Sequence, residues 1–187
     1  MRLLCLLCAL LLSACVTVDP NAKPETPKLQ LQGEFAQLPR YPTEKAVNGL
    51  LSGNNQTLEA VLNDPNVYTP PVLFALAHQL YQQGEITPAL FWFYTAQLRA
   101  RSDANKSLDP TTQAGVTELT RKYCDAINRY AHTHPHEVSK AVRMALEWDK
   151  QTKRYYNVYW VALYGADSRV KEKVEFRPRE QWNQIDE

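Results

Sequence analysis

Apolar positions fall into three regimes along the chain. From Leu3 to Leu12 they form an uncharged run, and from Val16 to Pro42 they thin out among prolines. Beyond Pro42 they recur at intervals of three, four and seven, the period of a helix with one buried face. Thr43 is placed to cap a helix carrying Ala46, Val47, Leu50 and Leu51, which the turn Ser52-Gly53-Asn54-Asn55 ends. A second short helix holds Leu58, Val61 and Leu62 and stops before Pro65. Thr69-Pro70 then opens a third with Leu73, Leu76, Ala77 and Leu80, and Gly84 supplies the left-handed residue that ends it. Thr87-Pro88 starts the next, through Ala89, Leu90, Phe93, Tyr94, Ala96 and Leu98. So short a link between these two predicts an antiparallel hairpin.

Asp109-Pro110 predicts a long helix, Thr112–Ala131, with Val116, Leu119, Tyr123, Ile127 and Tyr130 on one stripe. His134-Pro135 breaks it and starts another, Pro135–Lys150, burying Val138, Val142, Ala145 and Trp148. The aromatic strip Tyr155–Tyr164 reads as a last helix closing at Gly165, or else as an extended cover. After Lys171 the chain is charged, but Phe176, Trp182 and Ile185 predict that part of it packs down. No segment alternates as a strand does. The expected fold is all-α: a compact helical domain of antiparallel hairpins.

The hairpin residues Leu73, Leu76, Ala77, Leu80, Gly84, Ala89, Phe93 and Ala96 resemble a tetratricopeptide repeat. The resemblance implies that Ala77, Ala89 and Ala96 let the helices approach while Leu73, Leu80 and Phe93 fill the space between. It departs at Arg101, where that repeat ends in proline, and it covers a single hairpin. An array needs three or more repeats to bury a continuous core, so a compact domain is expected in place of a solenoid. The segments Phe91–Tyr94 with Gln97–Arg101, Ile127–Ala131 and Leu146–Asp149 resemble a group of uncharacterised bacterial envelope proteins, which implies one packed unit and no activity.

Composition narrows the partners. With 187 residues, 44% hydrophobic and 22% charged, the chain has enough apolar surface for one core and is neither disordered throughout nor polytopic. Its 21 basic and 20 acidic residues leave a net charge of +1, too little to neutralise a phosphate backbone. Nucleic acid is not an expected partner.

Ten residues from Leu3 make about 15 Å of helix, half of a bilayer core, so the run reads as the apolar region of an export signal and not as a spanning helix. It leads into Leu12-Ser13-Ala14-Cys15, which resembles the bacterial lipobox. The resemblance implies cleavage before Cys15, acylation of Cys15 as the one covalent lipid, and, with Val16 and no aspartate next to it, sorting to the outer membrane facing the periplasm. Stable anchoring needs more than one chain, which such a cysteine carries. Removal of residues 1–14 takes away Arg2, Cys5 and Cys8, leaving 20 basic against 20 acidic residues and Cys124 as the one unmodified cysteine. Residues 15–42, with Pro20, Pro24, Pro27, Pro39 and Pro42, read as a tether of roughly 25–30 Å, part of which Leu29, Leu31 and Phe35 dock back onto a body formed by residues 43–187.

Three constellations carry candidate chemistry. His132, His134 and His136 alternate around a proline turn, where neutral imidazoles can converge on zinc or copper; the plainer reading is a polar interhelix turn. His78 is expected in the core. Phe91-Trp92-Phe93-Tyr94 cannot all face inward from one helix, so Trp92 and Tyr94, with Arg99 and Arg101 beyond them, form a candidate partner-binding face unless the Tyr155–Tyr164 strip covers it. Catalytic motifs are missing: there is no Gly-x-Ser-x-Gly, no His-Glu-x-x-His and no Cys-x-x-Cys, and Cys124 has no base assigned to it. The expectation is a non-enzymatic, cofactor-free lipoprotein acting as a protein-interaction module for an unidentified protein. Two alternatives follow from the same residues: an immunity lipoprotein that blocks a secreted toxin in the periplasm, or a metal or small-ligand binder using the histidine turn.

Overall fold

A computed structural model describes residues 31–186. Over these residues the chain is a single all-α body of nine α-helices joined by short 3₁₀ turns. Among the described residues the only strand-like pairing is one antiparallel bridge, Ser107 with Phe176. The lipobox-like segment with Cys15, and Pro20, Pro24, Pro27 and Leu29 of the expected tether, lie outside the described residues.

Helices α4 (Pro70–Gln82) and α5 (Ile86–Lys106) form the central hairpin. Thr69 precedes α4, and the missing N–H groups of Pro70 and Pro71 cost nothing in a first turn, where no intrahelical acceptor exists. Gly84, at φ +82°, turns the chain back in a region closed to side chains with a Cβ. Leu73, Leu76, Ala77, Ala89, Phe93 and Ala96 are all fully buried between these helices and their neighbours. Phe74 meets Phe93 edge-on at 6.3 Å.

Around the hairpin, α2 (Tyr41–Leu51) packs on α4, and α3 (Asn55–Asn63) folds beneath α2. Asn54 caps α3 by accepting from the Thr57 N–H at 2.8 Å. Helix α2 starts two residues before Thr43, because Pro42 fits its opening turn; Thr43 instead meets Thr69 through their hydroxyls at 2.9 Å. The body also takes in part of the expected tether, so it begins before residue 43. Helix α1 (Gly33–Gln37) buries Phe35 to 1% exposure. Gly33, at φ +53°, lets the backbone approach Glu172 so closely that a Cβ would lie 2.2 Å from its carbonyl oxygen.

The long helix expected from residue 112 is two helices, α6 (Gln113–Tyr123) and α7 (Asp125–Thr133), broken at Cys124. The apolar stripe survives the break, with Val116, Leu119, Tyr123 and Ile127 buried. His78 donates from Nδ1 to the Tyr123 carbonyl at the break, 2.7 Å away, and Cys124 donates its S–H to the Phe74 carbonyl at 3.3 Å. Burial pushes the Cys124 thiol far above its ordinary range, so it is a packing residue.

Helix α8 (Pro135–Gln151) lies along α5. After it the aromatic strip is not an α-helix: it is an extended stretch followed by a 3₁₀ segment, Val158–Tyr164, with Asn157 accepting from the Tyr159 N–H at 2.9 Å. Gly165 has an ordinary φ of −85° and is no left-handed stop. The charged segment from Lys171 returns across the end of α5, where Leu108 donates to Glu175 at 3.0 Å and Arg177 to Lys106 at 2.8 Å. Phe176 packs against the core, and α9 (Trp182–Asp186) half-buries Trp182 and Ile185, as expected.

Candidate functional site

Helix α5 changes chemistry halfway along. Ala96, Ala100 and Ala104 continue its apolar stripe, while Arg99, Ser102, Asp103 and Lys106 are equally buried beside it. Unpaired buried charges are prohibitive, and these are paired. Arg99, fully buried, donates from Nε to Asp149 Oδ1 at 2.7 Å and from Nη2 to Asn66 Oδ1 at 3.0 Å and Thr152 Oγ1 at 2.9 Å. Its guanidinium lies 4.4 Å from the centre of the Trp148 ring. Arg154 reaches in from beyond α8, with Nη2 2.6 Å from Asp149 Oδ2 and Nη1 2.6 Å from Asp186 Oδ1. Lys106 Nζ also meets Asp186 Oδ1 at 2.6 Å. Ser102 accepts from Arg154 at 2.7 Å and donates to Asp186.

Asp103 completes the cluster. It accepts from the Trp160 indole N–H at 2.8 Å and faces Lys106 at 3.5 Å and Arg154 at 3.6 Å. Burial pushes its carboxyl up to about 6, although Lys106, Arg154 and the Trp160 bond pull the other way. For Asp186, burial also acts upward, but the bonds from Lys106 and Ser102 and the charge of Arg154 outweigh it, and the carboxyl sits below its ordinary range. Three cations, Arg99, Lys106 and Arg154, thus balance three carboxylates, Asp103, Asp149 and Asp186.

A cleft of about 1010 Å³ opens over this cluster, between the end of α8, the stretch 152–159 and α9. Its lining carries five cations, Lys106, Lys150, Lys153, Arg154 and Arg179, against two carboxylates, Asp149 and Asp186, with Tyr156, Tyr159 and Trp182 as aromatic walls. The buried Tyr156 hydroxyl faces the Asp103 carboxylate, and the buried Arg99 Nη1 has no hydrogen-bond partner among the described residues. A smaller cavity of about 170 Å³ lies on the other side of α9, bounded by Leu98, Arg101, Leu146 and Ile185. The size and lining suit an anionic ligand with an apolar or aromatic flank.

The residues expected to form a partner face are dispersed. Trp92 is buried, 5.3 Å from Trp148 and 4.8 Å from Phe91; α8 supplies the cover, and the Tyr155–Tyr164 strip lies elsewhere. Tyr94 is half-buried against Phe93 at 5.0 Å, and burial raises its phenol. Arg99 is interior, because Asp149 and Trp148 lie within reach on α8. Of the four, only Arg101 is exposed, donating to Gln97 at 3.1 Å at the rim of the smaller cavity.

The histidine turn does not assemble a site. His134 stacks on Tyr130 at 3.7 Å and 3°, and its Nδ1 lies 2.8 Å from the Tyr130 carbonyl. His132 and His136 are exposed at the end of α7 and the start of α8. Among the described residues no three His, Cys, Asp or Glu side chains come together in a way that could hold a metal ion. The end of α7 and the start of α8 place the three imidazoles on separate turns.

The sequence signal for the real cluster was the interval of four from Ala96 to Ala100 to Ala104. It says that α5 stays buried past residue 99, without saying which of the neighbouring charges are covered. Asp149, Arg154 and Asp186 had no such signal. Comparison with family models, with curated proteins and with solved structures gives no match for this chain.

Proposed function

We propose that this is a lipid-anchored envelope protein, held through Cys15 at the outer membrane and facing the periplasm, whose helical body binds a protein partner without catalysis. The contact surface is the basic, aromatic-walled cleft between α8, residues 152–159 and α9, in place of the Trp92–Tyr94 face. The observation that carries this reading is the excess of cations in a cleft of that volume, with Lys150, Lys153 and Arg179 on its walls and Trp182 beside them. The lipobox supports the anchor, and confinement to a membrane surface raises the effective concentration of a partner there.

Two experiments test it. Cys15→Ala should leave an unprocessed precursor or release the body from membranes; unchanged fractionation and intact mass would refute the anchor. A photo-crosslinking residue at Lys153 or Asn183, both on the cleft wall, should capture one dominant protein in cells, and the same residue at the exposed Arg129 on α7 should not. Equal capture from both places, or none from the cleft, would refute the binding surface. An immunity lipoprotein would be recognised at this step by the captured protein being a toxin.

A further inference from the structure

We infer that α9 is an internal stand-in for the partner: Asp186 fills a carboxylate seat made by Lys106, Arg154 and Ser102, which an acidic segment of the partner takes over when α9 lifts. The inference rests on the cleft being the binding surface and names what the cleft recognises.

Charge balance is the first argument. Without Asp186 the interior holds three cations against Asp103 and Asp149 alone. With α9 seated, Lys106 is 2% exposed and Arg154 10%, so losing the Asp186 charge in place leaves poorly solvated positive charge, and lifting α9 opens both cations to an anion in the cleft. The seat offers a lysine ammonium, an arginine N–H and a serine hydroxyl converging on one oxygen, which is carboxylate chemistry.

The second argument is how lightly α9 is held. Asp103 and Asp149 belong to or adjoin the long helices α5 and α8, whereas Asp186 sits on five residues and is itself 35% exposed. Among the described residues, backbone bonds join the returning segment to the body up to Arg177 and not beyond; α9 is kept down by Asp186, by Ile185 and by Trp182. The Trp182 ring lies 5.5 Å from the Lys106 ammonium and 6.3 Å from Tyr159.

The third argument is shape. The two cavities flank α9 and share Asp149, Lys150 and Asp186 in their linings. Lifting α9 joins them into one groove along the α5–α8 seam, from Leu98 and Leu146 to Tyr159. The occupant that fits is a short amphipathic helical segment with an aromatic residue, an aliphatic one three positions later and a carboxylate next to it, the arrangement of Trp182, Ile185 and Asp186. Lys153 and Arg179 on the rim would draw it in.

The test uses the full chain and a labelled synthetic peptide with the sequence of residues 178–186, read by fluorescence anisotropy. Wild type should bind it weakly, because its own α9 competes, and Asp186→Asn should bind it about tenfold or more tightly, as expected when most molecules hold the seat closed. Trp182→Ala loosens α9 from its aromatic side and should give a gain in the same direction; it carries the test if Asp186→Asn does not fold. The gain should shrink with salt and with Lys153→Glu, and a peptide with Asn in place of its Asp should not bind. No gain in either variant, or equal binding of the Asn peptide, would overturn the inference. Its failure is distinct from failure of the proposed surface: capture at Lys153 with no peptide gain would leave the surface standing and reject the stand-in. Peptide gain without capture would reject the surface, and the stand-in for a partner with it.

Discussion

The two halves of α5 are buried to the same depth by opposite means. Its first half places Ala89, Leu90, Trp92, Phe93 and Ala96 against α4 and α8, where contact alone suffices. Its second half places Arg99, Ser102, Asp103 and Lys106 in the interior, where each needs a partner brought from at least one other element. Apolar burial is non-directional and tolerates small errors of placement. Buried charge tolerates none, because an ion without its counter-ion keeps the whole desolvation cost. The polar half is therefore where a small displacement of one element, α9, has an energetic consequence, and so where a binding switch can be built.

Mutation separates the two halves. Arg99→Ala removes a buried guanidinium from Asp149, Asn66 and Thr152 and should destabilise by about 3–5 kcal/mol, read as a shift in denaturant midpoint. A shift within experimental error would mean that the seam contributes nothing to folding. In the apolar half, Ala89→Leu overpacks the α4–α5 contact and should destabilise by about 1–3 kcal/mol. An unchanged midpoint there would break the hairpin as described.

Acid sharpens the comparison because only the polar half titrates. The Asp103 carboxyl is raised to about 6, so between about pH 4 and 6 the folded chain holds a proton that the unfolded chain has released. Asp103 therefore favours folding on the acid side, and that contribution is lost as pH rises through 6. Asp186 has the opposite sign: its contribution is present at neutral pH and disappears only as pH falls below the ordinary carboxylate range. Melting temperatures should accordingly show a slope between pH 4 and 6 that Asp103→Asn abolishes. If the slope is the same in the variant, Asp103 is not its source.

The smallest effect is expected where the same chemistry faces water. Asp125 and Arg129 form an i, i+4 pair on α7 with side chains 55% and 69% exposed. Arg129→Ala should change stability by less than about 0.5 kcal/mol. A loss approaching that of Arg99→Ala would mean that burial is not what distinguishes the two arginines.

Part of this was legible in the residues. The interval pattern and the Thr69-Pro70, Gly84 and His134-Pro135 signals placed α4, α5 and α8 closely, since periodicity and capping are local properties. The break at Cys124 was not legible, because it carries no proline or glycine; it is stabilised by His78 and Phe74 from α4. The form of the strip after α8 is not legible either. Its aromatic residues suit helix and cover equally, and the Trp160 bond to Asp103 lies outside any local window.

By itself the sequence determined an all-helical body, its central hairpin and the stripe that each helix buries, because those follow from side chains at most one or two turns apart. It also holds Leu12-Ser13-Ala14-Cys15, read in order along the chain, which resembles a lipobox. Only the tertiary structure decided which charges are interior. Arg99 and Arg101 stand two positions apart on one helix; one is sealed by Asp149 and Trp148 and the other faces solvent. That difference depends on the partner Arg99 meets 50 residues away, and no local pattern records it.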